Sequence, residues 1–532
     1  MAPFSREVAE SLRAYVRRDQ PFGPPDAAEI REPACAAALF DWNNEAFAEL
    51  LTGSDVLVGR RGSGKSALLS TFKGRRFMKG ELSGEEGREY RERHNLNAKT
   101  LLAIADVVIE ANTPELVDHL EQHCRQRSSI PPVEVMARLW NIRIWLLIGA
   151  CLRENYSHLW DQLPGAVRDF ALGKDVIAQA LQDASSGHLL APEDYVREME
   201  QFLATRETRC VVTFDNIERY KVDDVQNAVI GGLIAATGKL ISRQHHSLDI
   251  KLCLPAEIFD HIRSVVFRPD KDLHRVQYLH WTSAELMHVA ASRLKVYLQL
   301  FDEEAFAVVK DSRLADRATL RTFWTRYLPA KITNALGTDE ETFTYLLRHT
   351  HLLPRQLLTT LNAIARRASR DGRGMLDRPF EAEDIVQGVQ DSEDANAQAV
   401  LGMYEPVYPH IREVFDLVMP RLTRVFDYGF LHSTYNSSAK RPMAAMNRGD
   451  FRQFWRLMLS TGAVGVVDAE SVSTIYATAK FEFNSQHALK ISDKDMLCVH
   501  PMFSRIYNVN AGGESRAVLP RGSEVGVELR SV

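Results

Sequence analysis

The sequence is short of several features that would place it in a class at once. Its six cysteines, Cys35, Cys124, Cys151, Cys210, Cys253 and Cys498, lie far apart, with no CxxC and no Cys/His spacing suited to a metal. That excludes a disulfide framework, and thiols inside apolar runs such as RCVVTF and IKLCLP read as core residues of a reducing, cytoplasmic compartment. Positive charge is not in excess either. The net charge is −5, so any nucleic-acid contact would have to be a local patch. The amino terminus, MAPFSREVAESLRAYVRRDQ, has no apolar signal core. The most apolar window, 139–152, is too short to cross a bilayer and carries Arg143 in its middle, so a buried helix and no membrane partner are expected. There is no internal repeat, Ser-His-Asp arrangement, HExxH or nuclease-like carboxylate set. The pairs His245–His246 and His349/His351 have no carboxylate or cysteine at metal spacing and read as structural or surface groups.

What is present is an ordinary soluble composition, 45% hydrophobic and 25% charged over 532 residues. At about 150 residues each, that length accommodates three or four domains. Residues 1–40 read as a helical leader broken by PFGPP at 21–25. Across 41–280, short apolar runs alternate with longer helical stretches: VLVG at 56–59, DVVIEA at 106–111, RCVVTF at 209–214 and IKLCLP at 250–255. Near-continuous apolar runs of that length fit parallel strands covered by helices on both faces, so this is an α/β core. Helical periodicity without strands follows over 281–395. Residues 396–510 mix helices with a β-hairpin expected from AVGVVDAE and STIYATAKFEFN. The end, 511–532, has glycine, serine and charge without periodicity and reads as a mobile tail.

Residues 59–66 read GRRGSGKS, which satisfies G-x-x-x-x-G-K-[ST]. A strand, SDVLV, precedes the loop, and a helix, SALLSTF, follows it. Gly59, Gly62 and Gly64 permit backbone conformations closed to other residues. The N–H groups of Gly59, Arg60, Arg61, Gly62, Ser63, Gly64, Lys65, Ser66 and Ala67 could then surround the phosphates of ATP, with the helix start adding its positive end. Lys65 should reach the β- and γ-phosphates, and the Ser66 hydroxyl should meet Mg²⁺. A P-loop site also needs an acid on a neighbouring strand. Asp215, ending CVVTF in CVVTFDNIERY, is the candidate for the magnesium shell opposite Ser66. The alternative is an aspartate capping the next helix. A water-orienting glutamate would be expected after Asp215, but the residue is Asn216, which cannot accept a proton. Glu218 lies two residues further on and is the substitute; without it, hydrolysis should be slow.

GRRGSGKSAL followed by an apolar strand ending in DNIER resembles the STAND and KAP groups of P-loop ATPases, relatives of AAA+ proteins. It is similar to a bacterial family of P-loop ATPases with a helical lid and a carboxy-terminal winged helix. The resemblance extends through LCLPAEIFDHI at 252–262, VQYLHWTSAELMHVAASRL at 276–294, RHTHLLPRQLLTTLN at 348–362 and, at the end, FEFN with VHPMFSRIY. It implies a P-loop core over 41–280, a helical lid over 281–395 and a winged-helix-like α+β domain over 396–510. Many members carry an arginine where this chain has Pro255. Arg355 follows Pro354 at the start of a helix with Leu357, Leu358 and Leu361 at helical spacing. The resemblance implies that Arg355 reaches the γ-phosphate from the lid; a surface arginine is the plainer reading. Arg293 and Arg275 are alternatives for the same site or for that of a neighbouring subunit.

Trp42 could pack on adenine or be structural. Lys73, Arg75, Arg76 and Lys79 read as a solvated loop beside an acidic stretch. Lys440, Arg441, Arg448, Arg452 and Arg456 fall where DNA-binding winged helices place their recognition helix. The leading expectation is a slowly hydrolysing ATP-dependent switch acting through self-association or a partner effector protein, and the resemblance suggests antiviral defence or a mobile-element system. The alternative is an ATP-dependent DNA-binding protein similar in plan to origin-recognition initiators. A third reading keeps nucleotide merely as a stabiliser of an interaction protein.

Overall fold

The computed structural model describes residues 4–40, 44–52, 55–70, 88, 92, 107–126, 130–172, 192–215, 217, 223–242, 247–265, 273, 275–310, 312, 314, 316–370, 379–469, 473, 475–485 and 488–525. The chain divides into two compact units. A sheet unit comprises Glu45–Gly59 and Lys65–Leu279, and a lid unit comprises Met1–Asn44, Arg60–Gly64 and His280–Val532.

In the sheet unit the strands are β1 (Val56–Gly59), β2 (Val107–Ala111), β3 (Cys210–Phe214), β4 (Leu248–Pro255) and β5 (Val276–Tyr278). They pair in the order β2-β3-β4-β1-β5, every pair parallel. β1 and β3 are buried at every position, which is why they read as unbroken apolar runs. β5 escaped the sequence reading because it is a short, half-buried edge strand inside VQYLHW. The apolar window at 139–152 lies in a longer helix than expected, Val133–Asn155, which is long and apolar enough to cross a membrane. Here Met136, Trp140, Ile144, Trp145 and Ile148 are buried within the unit. This helix packs on the helix Asp224–Ser242, where Trp140 Nε1 donates to the Val229 carbonyl at 2.8 Å. Gly232 makes that approach possible, since a Cβ there would stand 2.4 Å from Met136 Cβ.

At the amino end of β1 sits a buried charge cluster. Lys251 Nζ lies 3.5 Å from Asp55 Oδ1 and 3.4 Å from Asp249 Oδ1, and Arg275 Nη1 lies 3.0 Å from Asp55 Oδ2. Arg275, an alternative for phosphate sensing, is therefore committed to a structural pair at the end of β1 away from the phosphate loop.

In the lid unit the leader is an integral part, not an appendage. Arg293 Nη1 donates to the carbonyls of Phe22 (3.0 Å) and Pro24 (2.8 Å), while Asn362 Nδ2 donates to the Gly23 carbonyl at 2.9 Å. The PFGPP break is thus clamped, and Arg293 is spent on it rather than on nucleotide. The strands do not stop after Trp281, because β6 (Lys331–Thr333) and β7 (Asp339–Glu341) form a small antiparallel hairpin. One helix, Ala382–Tyr404, runs through the boundary expected at 395/396, so no linker separates lid from carboxy-terminal domain.

That domain contains the helix Ile411–Val418, β8 (Val425–Asp427), a helical run over 428–445 and the helix Phe451–Ser460. Then follow β9 (Val464–Val467), β10 (Tyr476–Lys480), β11 (Met496–Val499) and β12 (Ala517–Pro520). The sheet order is β12-β10-β9-β11-β8. β9 and β10 are the expected hairpin, antiparallel through Ala479↔Val467. The expectation of a mobile tail from 511 is corrected: β12 pairs with β10 through Tyr476↔Ala517 and is buried at every position. Helices and sheet share a core of Val414, Phe415, Leu431, Phe454, Leu457 and Phe503. The fold class is accordingly α/β: a P-loop parallel-sheet core, a helical lid and a winged-helix α+β domain.

Candidate nucleotide site

Gly59 closes β1 in extended backbone, in register with Pro255 of β4, so the sequence expectation of a special conformation at Gly59 is not met. Gly62 and Gly64 meet it, with φ of +86° and +94°. A turn links them, with Ser63 N–H donating to the Arg60 carbonyl at 3.0 Å. The helix Lys65–Ser70 follows directly, and its first side chain folds back: Lys65 Nζ donates to the Gly59 carbonyl at 2.9 Å in a buried setting. Ser66 and Ala67 are half-buried on that helix, and Arg61 is exposed.

Within the lid unit, Arg60–Gly64 is held from several sides. Trp281 Nε1 donates to the Ser63 carbonyl at 2.7 Å, and Arg355 N–H donates to the Gly62 carbonyl at 3.3 Å. The Arg355 side chain lies flat on Gly62: a Cβ on that glycine would stand 2.9 Å from Arg355 Cβ and 3.2 Å from its Cδ. The arginine implied by the lid resemblance is therefore placed against the phosphate loop, at the start of the helix Pro354–Arg370. Its guanidinium pairs with Asp26 of the leader at 2.9 Å. No sequence signal pointed to Asp26, which sits more than 300 residues from its partner. Trp281 was visible only as part of the HWTS segment.

In the sheet unit, Asp215 is buried directly after β3. Its N–H donates to Thr113 Oγ1 at 3.1 Å, and that hydroxyl donates on to the Ala111 carbonyl at the end of β2. Further on, the helix Asp224–Ser242 is capped by Asp223, which accepts from Gln226 N–H. β4 separates β3 from β1, so the strands that lead to Asp215 and to Gly59 lie two spacings apart, about 10 Å. Asn216, Glu218, Trp42, His245–His246 and the basic cluster from Lys73 to Lys79 lie outside the described residues.

The residues present fit a magnesium-bound phosphate group. In the sheet unit Ser66 and Asp215 offer hard oxygen donors. Within the lid unit the buried Ser63 Oγ has no hydrogen-bond partner among the described residues. No group of three or more metal-ligating side chains occurs among the described residues. The histidines of the lid are structural: His349 Nδ1 lies 2.6 Å from Glu393, and His351 and His500 are wholly buried in aromatic packing.

The basic residues of the carboxy-terminal domain separate into two groups. Arg456 forks onto Glu482, with Nη2 2.6 Å from Oε1, and Arg448 lies over the Tyr408 ring at 4.4 Å. Lys440, Arg441 and Arg452 are exposed. The stretch 428–449 contains no carboxylate, and the flanking Asp427 and Asp450 are engaged as caps on Phe430 and Gln453 N–H.

No protein-family model matches the chain, and no curated protein does. Among solved structures, it is similar to the ORC2 protein of Aeropyrum pernix, determined in ADPNP–ADP complexes. Identity is 14% and the TM-score 0.39, over 96% of this chain and 97% of that one. It is also similar to Cdc6p of Pyrobaculum aerophilum at 10% identity and TM-score 0.29, over 93% and 99% of the two chains. At those scores no residue role passes from either protein to this one.

Proposed function

We propose that the chain is an ATPase that binds ATP with Mg²⁺ at residues 59–66 and uses nucleotide state to set the behaviour of its carboxy-terminal domain. The observation that carries this reading is the loop itself: GRRGSGKS placed between a buried parallel strand and a helix, with Asp215 ending a strand two positions away in the same sheet. Lys65 would exchange the Gly59 carbonyl for phosphate oxygens, a stronger charge-assisted partner. Ser66 and Asp215 would hold the magnesium shell. The metal supplies charge neutralisation on the phosphates when bound. Arg355 would leave Asp26 for the γ-phosphate, giving ATP a contact that ADP lacks. Turnover would be slow, because Asn216 offers an amide where a proton-accepting carboxylate would orient water.

For the output, the exposed Lys440, Arg441 and Arg452 beside a carboxylate-free stretch support duplex DNA as the ligand of the winged-helix domain. This is a local basic patch on a chain of net negative charge, as DNA contact here requires. Titrating a fluorescent ATP analogue with Mg²⁺ tests the first step: Lys65→Ala should weaken binding on the order of 100-fold. Equal affinity in the variant would sink the reading. Duplex binding that needs ATP, weakens steeply with salt and is lost on replacing Lys440 and Arg441 supports DNA. Nucleotide-dependent self-association without duplex binding would replace DNA by a protein output.

A further inference from the structure

Arg60 occupies a position of the phosphate loop that demands nothing of its side chain, yet that side chain is only 9% exposed. A buried guanidinium is costly unless it is well partnered. Two of its contacts among the described residues are with the carboxy-terminal domain. Nη2 donates to the Ser460 carbonyl at 2.7 Å, at the end of the helix Phe451–Ser460. The last carbonyls of a helix lack partners within it and form its negative end, so they suit a cation. Tyr404 OH donates to the same carbonyl. The guanidinium also stands over the Phe483 ring, 5.9 Å from its centre.

That ring is part of a tight stack. His351 lies on Phe483 with centroids 4.3 Å apart and planes at 18°, and His500 meets His351 edge-on at 4.8 Å. Gly462, at φ +73°, leaves the room: a Cβ there would stand 2.8 Å from Phe483 Cδ1 and 3.0 Å from His351 Cε1. Both imidazoles are fully buried, and His500 Nδ1 accepts from Met502 N–H, as a neutral ring does. The cation therefore rests on an aromatic face that is backed by two buried imidazoles. Three segments meet around it: the phosphate loop, the turn that leads to Arg355, and the carboxy-terminal domain.

We propose that Arg60 is the positioning residue through which the phosphate loop and the winged-helix domain set each other's geometry. The inference rests on the proposed nucleotide reading and deepens it. Phosphate gathered by the loop N–H groups shifts the Arg60 backbone, and the side chain carries that shift to Ser460 and Phe483. The coupling is reciprocal, so a ligand of the winged-helix domain changes ATP affinity by the same factor.

Hydrogen exchange on the full chain tests this, following peptides that cover 451–467 and 476–485 without nucleotide, with ADP·Mg²⁺ and with ATPγS·Mg²⁺. Each protein is held at nucleotide saturating for it, as fixed by fluorescent-analogue titration. In the unmodified chain the exchange of these peptides should change with nucleotide. In Arg60→Ala that change should fall at least about fivefold, the equivalent of roughly 1 kcal/mol of coupling. Arg60→Lys keeps the charge without the fork and should keep part of the response. Phe483→Leu removes the ring but leaves the Ser460 bond, and should also reduce it; these two variants decide if Arg60→Ala does not fold. A full response in nucleotide-bound variants overturns the role of Arg60 and leaves the nucleotide reading standing. An unmodified chain that binds nucleotide with no response in these peptides overturns both the coupling reading and this inference.

Discussion

The two parts of the phosphate loop are held in different ways. Lys65 is satisfied locally, by the Gly59 carbonyl six residues back, and the helix it opens continues from the strand that precedes the loop. Arg60–Gly64 has local support in one turn and, among the described residues, is also held by Trp281, Arg355 and Ser460, all more than 200 residues away. The Lys65 part is thus tied to its own strand and helix. The Arg60 part takes its shape from the lid and winged-helix domains, so it is where a change in either would be felt.

Acidification should break this comparison most strongly. Burial pushes both His351 and His500 well below the usual 6.5, with the neighbouring Arg60 cation acting in the same direction. The unfolded chain therefore takes up protons near pH 6.5 that the folded chain refuses, and stability falls as pH drops below that value. Each fully resisted histidine costs about 1.4 kcal/mol per pH unit, roughly 3 kcal/mol for the pair. Hydrogen exchange between pH 6.5 and 5.5, corrected for intrinsic rates, should loosen 451–484 while leaving β1 and β3 protected. His351→Phe should reduce the slope, with the other buried histidines, His280, His349 and His500, keeping the rest. A pH-independent lid unit would show that the histidine pocket does not anchor Arg60.

Next in size is Gly62→Ala. A left-handed φ costs a non-glycine residue about 1–2 kcal/mol, and here the added Cβ also meets Arg355 at 2.9 Å. A loss of about 2 kcal/mol, visible as a Tm lowered by several degrees, should come with weaker ATP binding. Calorimetry and titration on one preparation check both. An unchanged Tm would mean that Arg355 is not seated on the loop.

The smallest effect is expected at Asp26. Its pair with Arg355 is 41% and 30% exposed, and such pairs contribute about 1 kcal/mol at most. If the γ-phosphate replaces Asp26, then Asp26→Asn should tighten ATP binding up to about fivefold and leave ADP binding unchanged. Equal effects on both nucleotides would detach Arg355 from γ-phosphate sensing.

Legibility followed burial pattern and locality. β1 and β3 were readable because strands covered on both faces must be apolar at every position, and β2 and β4 because most of their positions are apolar. β5 and β8, three residues each, are too short to carry a pattern. β12 was taken for a tail, since AVLP amid glycine and charge shows no periodicity, and its burial depends on pairing with a strand some 40 residues earlier. Arg293 and Arg275 were equal candidates with Arg355 on paper. The fold separates them, giving Arg293 to the leader's carbonyls, Arg275 to Asp55 and Arg355 to Gly62.

By itself the sequence determined the phosphate loop, the order of its strand and helix, and the acid that ends β3. Those depend on residue types at fixed short spacing, where backbone geometry leaves few choices. Only the tertiary structure decided which arginine lies on the loop, that Asp26 holds it, and that Arg60 reaches into the winged-helix domain. A side chain's partner across hundreds of residues is set by packing of whole elements, and no local pattern records it.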